Sequence, residues 1–166
     1  MTSKKINLRY LPKALTKKDK QRQASFLQKS KKLYKKGKYY TRPSVASFKS
    51  KPSAHVAAAQ KLYKVDKIGA TPELARATGC SKSALRQIIR KGEGAYYSSG
   101  SRPNQTAQSW GVARLASALT SGKAGAVDYN ILAKGCKKGS LGLKMANKSR
   151  KIHGYGHRKV PKVHVF

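Results

Sequence analysis

Apolar residues in this chain come in short groups at helical spacing, punctuated by glycine, proline and small polar residues. The first group predicts a helix from about Lys17 to Lys36. Thr16 stands as its cap, Asp19 three residues later in the manner of a capping box, and Gly37 as its end. Its apolar positions, Phe26, Leu27, Leu33 and Tyr34, form a narrow stripe with lysine on most other faces, so this helix needs a surface to lie on. TRPSVASFKSKPS then reads as extended, because Pro43 and Pro52 each push the preceding residue out of helical geometry.

After Ser53 the pattern predicts a compact run of helices. The first covers roughly His55 to Val65. The second is capped by Thr71, with Pro72 at its first position and Gly79 as terminator. Ser81 opens a third, which is expected to stop at Gly92. Residues 93–105, EGAYYSSGSRPNQ, read as a loop. Thr106 then caps a helix through about Leu119, and a last short one covers Ala126 to Ala133. At the C-terminus, alternating Val160, Val163 and Val165 with Phe166 predict a short edge strand added to a partner's sheet. The fold class that follows is mainly α, with a small helical core over about residues 53–135 between extended basic arms, 1–52 and 136–166.

Charge sharpens this division. The chain of 166 residues carries 38 Lys and Arg against 5 Asp and Glu, a formal charge of +33. The net charge is +16 over residues 1–52, +8 over 53–135 and +9 over 136–166. Self-repulsion on this scale destabilises a compact state unless something anionic offsets it. The scarcity of acids also argues against paired-carboxylate catalysis and acidic metal clusters. MTSKKINLRYLPKAL lacks the apolar stretch of a secretion signal, and no run of apolar residues is long enough to span a bilayer. Without a secretion signal, Cys80 and Cys136 are expected to be reduced and unpaired.

Three groups of residues are candidates for polyanion contact. Lys17, Lys18, Lys20, Lys31, Lys32, Lys35 and Lys36 lie on the first helix, and Lys148, Arg150 and Lys151 near the C-terminus. Tyr34, Tyr39, Tyr40 and Tyr155, interleaved with these runs, can stack on bases; equally, the same lysines can meet acidic protein surfaces, with the tyrosines anchoring the interface. The third group comes from TPELARATGCSKSALRQIIRKG, which has the spacing of a helix-turn-helix. Leu74, Ala75, Cys80, Leu85 and Ile88 would close its core around Gly79. Its second helix would present Ser81, Lys82, Ser83, Arg86 and Arg90 to a DNA groove or backbone. An ordinary helical hairpin needs the same residues. In the loop, Arg102, Asn104 and Gln105 are expected to tie the backbone to the helix that follows. SGKAGA at 121–126 lacks the residues of a phosphate loop. His153 and His157 are separated by glycines that spoil a helical metal pair.

The run KGEGAYYSSGSRPNQTAQSWGVARLASALTSGKAGAVDYNILAKGC, residues 91–136, resembles an uncharacterised domain family of large double-stranded DNA viruses, including those of algae and amoebae. The likeness extends back through YLPKALTKKDKQRQ and SKKLYKKGKYYTRPSVASFKSK. It implies no activity and no catalytic residues, only a viral context: a virion protein, made in the cytosol or nucleus of the infected host cell. Together with the charge, it leads to the expectation of a non-enzymatic minor capsid protein that joins capsomers from the inner face through its basic arms. Its expected partners are major and other minor capsid proteins, with viral DNA or an anionic inner membrane as further polyanions. No cofactor, metal or small-molecule substrate is expected. The alternative is a viral DNA-binding protein that uses the helix pair or condenses the genome.

Overall fold

Helices begin where the capping residues stand. The computed structural model describes residues 4–156 and 161–165. Among these, Thr16, Ser53, Thr71 and Ser140 each accept a first-turn N–H through the side chain. They open α1 (Lys17–Lys35), α2 (Ala54–Tyr63), α3 (Pro72–Thr78) and α8 (Leu141–His153). Each bond satisfies a donor that the helix itself leaves free. Ser81 does the same for α4 (Lys82–Ser98), accepting the Ala84 N–H at 3.1 Å. α5 (Ala107–Leu119), α6 (Lys123–Val127) and α7 (Tyr129–Gly135) complete a mainly helical fold. The described strands are β1 (Lys4–Asn7) and β2 (Lys162–Val165).

The chain divides into two compact units. One gathers the described parts of Met1–Lys51, Glu93–Ala107 and Lys159–Phe166; the other gathers those of Pro52–Gly92 and Gln108–Arg158. α4 contributes to both, changing unit after Gly92.

In the first unit, β1 and β2 pair antiparallel, with Ile6 opposite Val163 and Lys5 opposite His164. The C-terminal strand expected to join a partner's sheet therefore pairs with the chain's own N-terminus; Val160 and Phe166 lie outside the described residues. Ile6 and Val163 pack with Phe26 and Phe48 against buried Leu11, Leu15, Ala24 and Val45. α1 buries Asp19, Gln23, Ala24, Leu27 and Ser30. That stripe is more polar than the one expected, and it leaves Leu33 half-buried and Tyr34 exposed. The capping box is completed from a distance. The Ser47 hydroxyl donates to Asp19 and accepts the Thr16 N–H, while the Ser47 N–H donates to Asp19 at 2.9 Å. Both bonds to the carboxylate, the hydroxyl's first, hold Asp19 below the ordinary carboxylate range.

The second unit holds the larger core: Ala59, Tyr63, Ile68, Leu74, Leu85, Ile88, Leu115, Leu119, Leu132 and Ala146 are buried together. The Tyr63 hydroxyl donates to the Leu119 carbonyl, and burial pushes the phenol above its ordinary pKa. α8, in a segment expected to be an extended arm, packs on α3, α6 and α7. Its most deeply buried positions, Gly142, Ala146 and Ser149, are small, and Leu141 and Leu143 pack beside them against the core. A Cβ at Gly142 would lie 2.5 Å from Cys80 Sγ. Gly125 likewise lies so close to Ser149 that a Cβ would stand 2.3 Å from its hydroxyl.

Three further expectations differ from the structure. Cys80 and Cys136 are disulfide-bonded, because residues 80 and 136 form a β-bridge with their Cα atoms 3.8 Å apart, a proximity that a sequence separation of 56 conceals. Gly92 does not end α4, which continues through Gly94, Tyr96 and Tyr97 to Ser98. A Cβ at Gly92 would stand 2.5 Å from the Cα of Gly111, so this glycine lets α4 and α5 approach backbone to backbone. The single helix expected over 126–133 is two, broken at Asp128.

Candidate nucleic-acid interface

Two of the five acids are buried, and each serves the fold. Asp19 binds Ser47. Asp128, fully buried as a side chain, accepts Lys91 Nζ at 2.6 Å and Arg114 Nε and Nη2 at 2.8 and 2.9 Å. Removing either base would leave a desolvated carboxylate with weaker compensation. Glu73 lies within 4.0 Å of Arg76 on one exposed turn, Asp66 is exposed, and Glu93 is half-buried. By contrast the lysines are outside. Lys17, Lys18, Lys31, Lys32 and Lys35 of α1 and Lys36 just after it are exposed, and Lys20 is half-buried.

In the first unit these lysines share their helix with an aromatic cluster. Tyr34, near the end of α1, lies parallel to Tyr97 of α4, with centroids 6.3 Å apart and planes at 11°. Tyr39 leans on both, 6.2 Å from Tyr34 and 5.0 Å from Tyr97. Tyr97 meets Tyr96 edge-on at 5.1 Å. Exposure rises outward through the cluster: Tyr96 is 0% exposed, Tyr34 36% and Tyr39 72%. Lys31 precedes Tyr34 by one helical turn, and Lys29 sits 4.6 Å over the ring of Tyr40.

The base of the cluster is Arg42, a residue that reading the sequence did not single out. It is buried, with its guanidinium 3.8 Å over the Tyr96 ring. It donates to the Tyr96 carbonyl at 2.7 Å, to Ser101 Oγ at 2.7 Å and to Ser30 Oγ at 3.1 Å. Its own N–H meets the Tyr96 hydroxyl at 2.9 Å. Burial lowers its pKa, and the surrounding tyrosines oppose that shift. Its signal in the sequence is that it stands before a proline as the single basic residue between Lys38 and Lys49. In the same unit Asn104, at φ +61°, binds Val45 and Phe48 through its side chain. It thus ties the loop to the segment around Val45, where the expectation was the following helix. Arg102 is exposed and Gln105 half-buried.

In the second unit α3 and α4 flank Gly79 at φ +76°, and Leu74, Cys80, Leu85 and Ile88 are buried, with Ala75 half-buried, as a helix-turn-helix and an ordinary helical hairpin both require. Ser81, Lys82, Ser83, Arg86 and Arg90 are exposed on α4, although the Ser81 hydroxyl is engaged as the cap. The turn is strapped to residues 135–140: Ser81 N–H donates to Gly135 O and Lys137 N–H to Gly79 O, both at 2.8 Å, beside the disulfide. An open groove beside the start of α4 is lined by Ser83, Gln87, Asn130, Ile131 and Lys134. On α8, Lys148 and Lys151 are exposed. Arg150 is half-buried between two rings, 4.2 Å from Tyr129 and 5.0 Å from Tyr155. Among the described residues no cluster of three His, Cys, Asp or Glu side chains is placed to hold a metal ion, and no helix is long and apolar enough to cross a membrane. His157 lies outside the described residues.

No curated protein and no solved structure matches the chain. A family model described as a family of unknown function, DUF5824, matches residues 7–132. That span takes in α1 through most of α7, and with them the Arg42 network, the tyrosine cluster and the α3–α4 pair. With most of its length inside the match, the chain belongs to the DUF5824 family.

Proposed function

We propose that the protein is a non-enzymatic nucleic-acid-binding protein, carried as a structural component of a viral particle. The observation behind this reading is the disposition of charge: the two buried acids are engaged inside the fold, Asp128 with Lys91 and Arg114, while the lysines of α1 and α8 and Lys82 of α4 form no ion pair among the described residues. A surface of that kind gains binding energy by releasing counterions from a phosphate backbone, independently of sequence. Tyrosines set among the lysines suit nucleic acid, whose bases stack on aromatic rings. The viral setting rests on the sequence resemblance.

A labelled oligonucleotide titrated by fluorescence anisotropy over a salt series tests the binding. The affinity is expected to fall on the order of a thousandfold between about 50 and 200 mM salt, and polyglutamate should compete poorly. Binding no tighter to the oligonucleotide than to polyglutamate would sink the reading. The capsid role, in which the protein joins capsomers, makes a different prediction for purified particles stripped of their outer shell. There the protein would leave with the shell, whereas a genome binder stays with the DNA.

A further inference from the structure

We propose that Tyr34, Tyr39 and Tyr97 form a stacking platform for unpaired bases, so that the preferred ligand is single-stranded nucleic acid. This rests on the nucleic-acid reading above and narrows it.

Three observations carry the inference. The rings are presented outward: Tyr39 is 72% exposed and Tyr34 36%, although each has aromatic neighbours within 6.3 Å that would let it bury itself. Exposed aromatic surface held together in one place marks an interaction site more often than a scattered ring does. The rings are also fixed from below. Tyr97 rests edge-on against fully buried Tyr96, which is clamped by Arg42 through the ring and the carbonyl. Ser30 of α1 donates to the Tyr97 carbonyl at 3.1 Å, joining the helix that carries Tyr34 to the one that carries Tyr97. A platform set this way loses little conformational entropy when a base lands on it.

The third observation is the company the rings keep. Lys31, Lys35, Lys36 and Lys38 are exposed within a turn or two of Tyr34 and Tyr39, and suit the phosphates of a strand whose bases lie on the rings. The acid nearest along α4 is Glu93, one turn before Tyr97 and half-buried. An acidic segment without apolar or aromatic side chains would satisfy the lysines and leave the ring faces unused. A duplex would also satisfy the lysines, but its bases are stacked on one another and cannot reach the rings. A single strand uses both, and stacking on aromatic side chains is tolerant of sequence.

The test compares Tyr39→Ala, Tyr34→Ala and Tyr39→Trp with the unaltered full-length protein. Anisotropy is measured with one labelled oligonucleotide, single-stranded and then annealed to its complement, in the same buffer. Each alanine variant should weaken single-strand binding by roughly 5- to 150-fold and leave duplex binding unchanged, while Tyr39→Trp retains the single-strand affinity. Lys35→Ala with Lys36→Ala should weaken both forms alike. Equal losses on both forms, or no loss on either, would overturn the platform while leaving the nucleic-acid reading in place. Failure of the unaltered protein to bind either form would overturn both. Tyr39 is largely exposed, so its variants are expected to keep the parent's circular dichroism and melting temperature; a variant that lost single-strand binding only by unfolding would lose duplex binding too, which counts against the proposal.

Discussion

Arg42 and Asp19 are buried charged residues of the first unit with opposite means of support. Arg42 has no carboxylate on it; a ring face, a carbonyl and two hydroxyls hold the guanidinium instead. Truncation to alanine would leave those acceptors desolvated and unpaired, at a cost of about 3 kcal/mol. Arg42→Lys should recover only part of this, because an ammonium lacks the planar fork. Urea denaturation of both variants checks the order. Asp19 is a charge held by donors, and its folded pKa is lowered from 3.8. Its contribution is therefore complete above the unfolded value and lost as pH falls through the lowered folded one. Stability measured against pH should decline from just above 3.8 downward, and Asp19→Asn should flatten that decline. An unchanged slope in the variant would show that other carboxylates set it.

Among the elements, α4 is the one on which most depends. It supplies core residues to the second unit with its first turns and the tyrosine cluster to the first unit with its last. Its passage through Gly92 is permitted by the contact with Gly111. Gly92→Ala puts a Cβ 2.5 Å from a backbone atom that cannot swing away. The intrinsic helix preference gained by alanine is about 1 kcal/mol, whereas the overpacking costs about 1–3 kcal/mol or more. A net fall in melting temperature is expected, against the gain that an exposed helical glycine would give. The turn before α4 is held by Cys80–Cys136, which closes a loop with a sequence separation of 56. Chain-entropy reasoning gives such a link about 4 kcal/mol. Cys80→Ser should lower the denaturation midpoint accordingly, and reductant should move the parent protein to the variant's midpoint while leaving the variant unmoved.

At the scale of the whole molecule, +33 charges on 166 residues oppose folding as well as favouring a partner. Screening weakens that repulsion within a Debye length of about 8–10 Å at ordinary salt. The melting temperature should thus rise with salt in the free protein, and rise further when an oligonucleotide binds the folded state in excess. A melting temperature indifferent to both would mean that the surface lysines are spaced widely enough not to interact, and would remove the physical motive for a polyanionic ligand. Within each unit the basic segments are folded elements, α1 in one and α8 in the other. Neither is an arm reaching outward, and for that reason a surface-to-backbone contact is favoured here over bridging by extended tails.

The starts of α1 to α4, the mainly helical class and the basic exterior were determined by sequence alone. Capping is a local bond between residues three apart, helical spacing repeats within a few turns, and a lysine's need for water does not depend on the fold. Thr16, Ser53, Thr71 and Ser81 announced their helices for that reason, and so did the buried positions Leu74, Cys80, Leu85 and Ile88. What depended on distance along the chain had to wait for tertiary structure. A glycine reads the same whether it ends a helix, as Gly79 does, or admits a neighbouring backbone, as Gly92 does. In α8 the most deeply buried positions are the small residues Gly142, Ala146 and Ser149, whose burial follows from close approach, while Leu141 and Leu143 pack on the core only in part. The pairing of β1 with β2, the Cys80–Cys136 bond, Ser47 completing the cap at Asp19 and the placing of Arg42 beneath Tyr96 all join residues that only the folded chain brings within bonding range, because the energy of each contact exists only once the chain between them has closed.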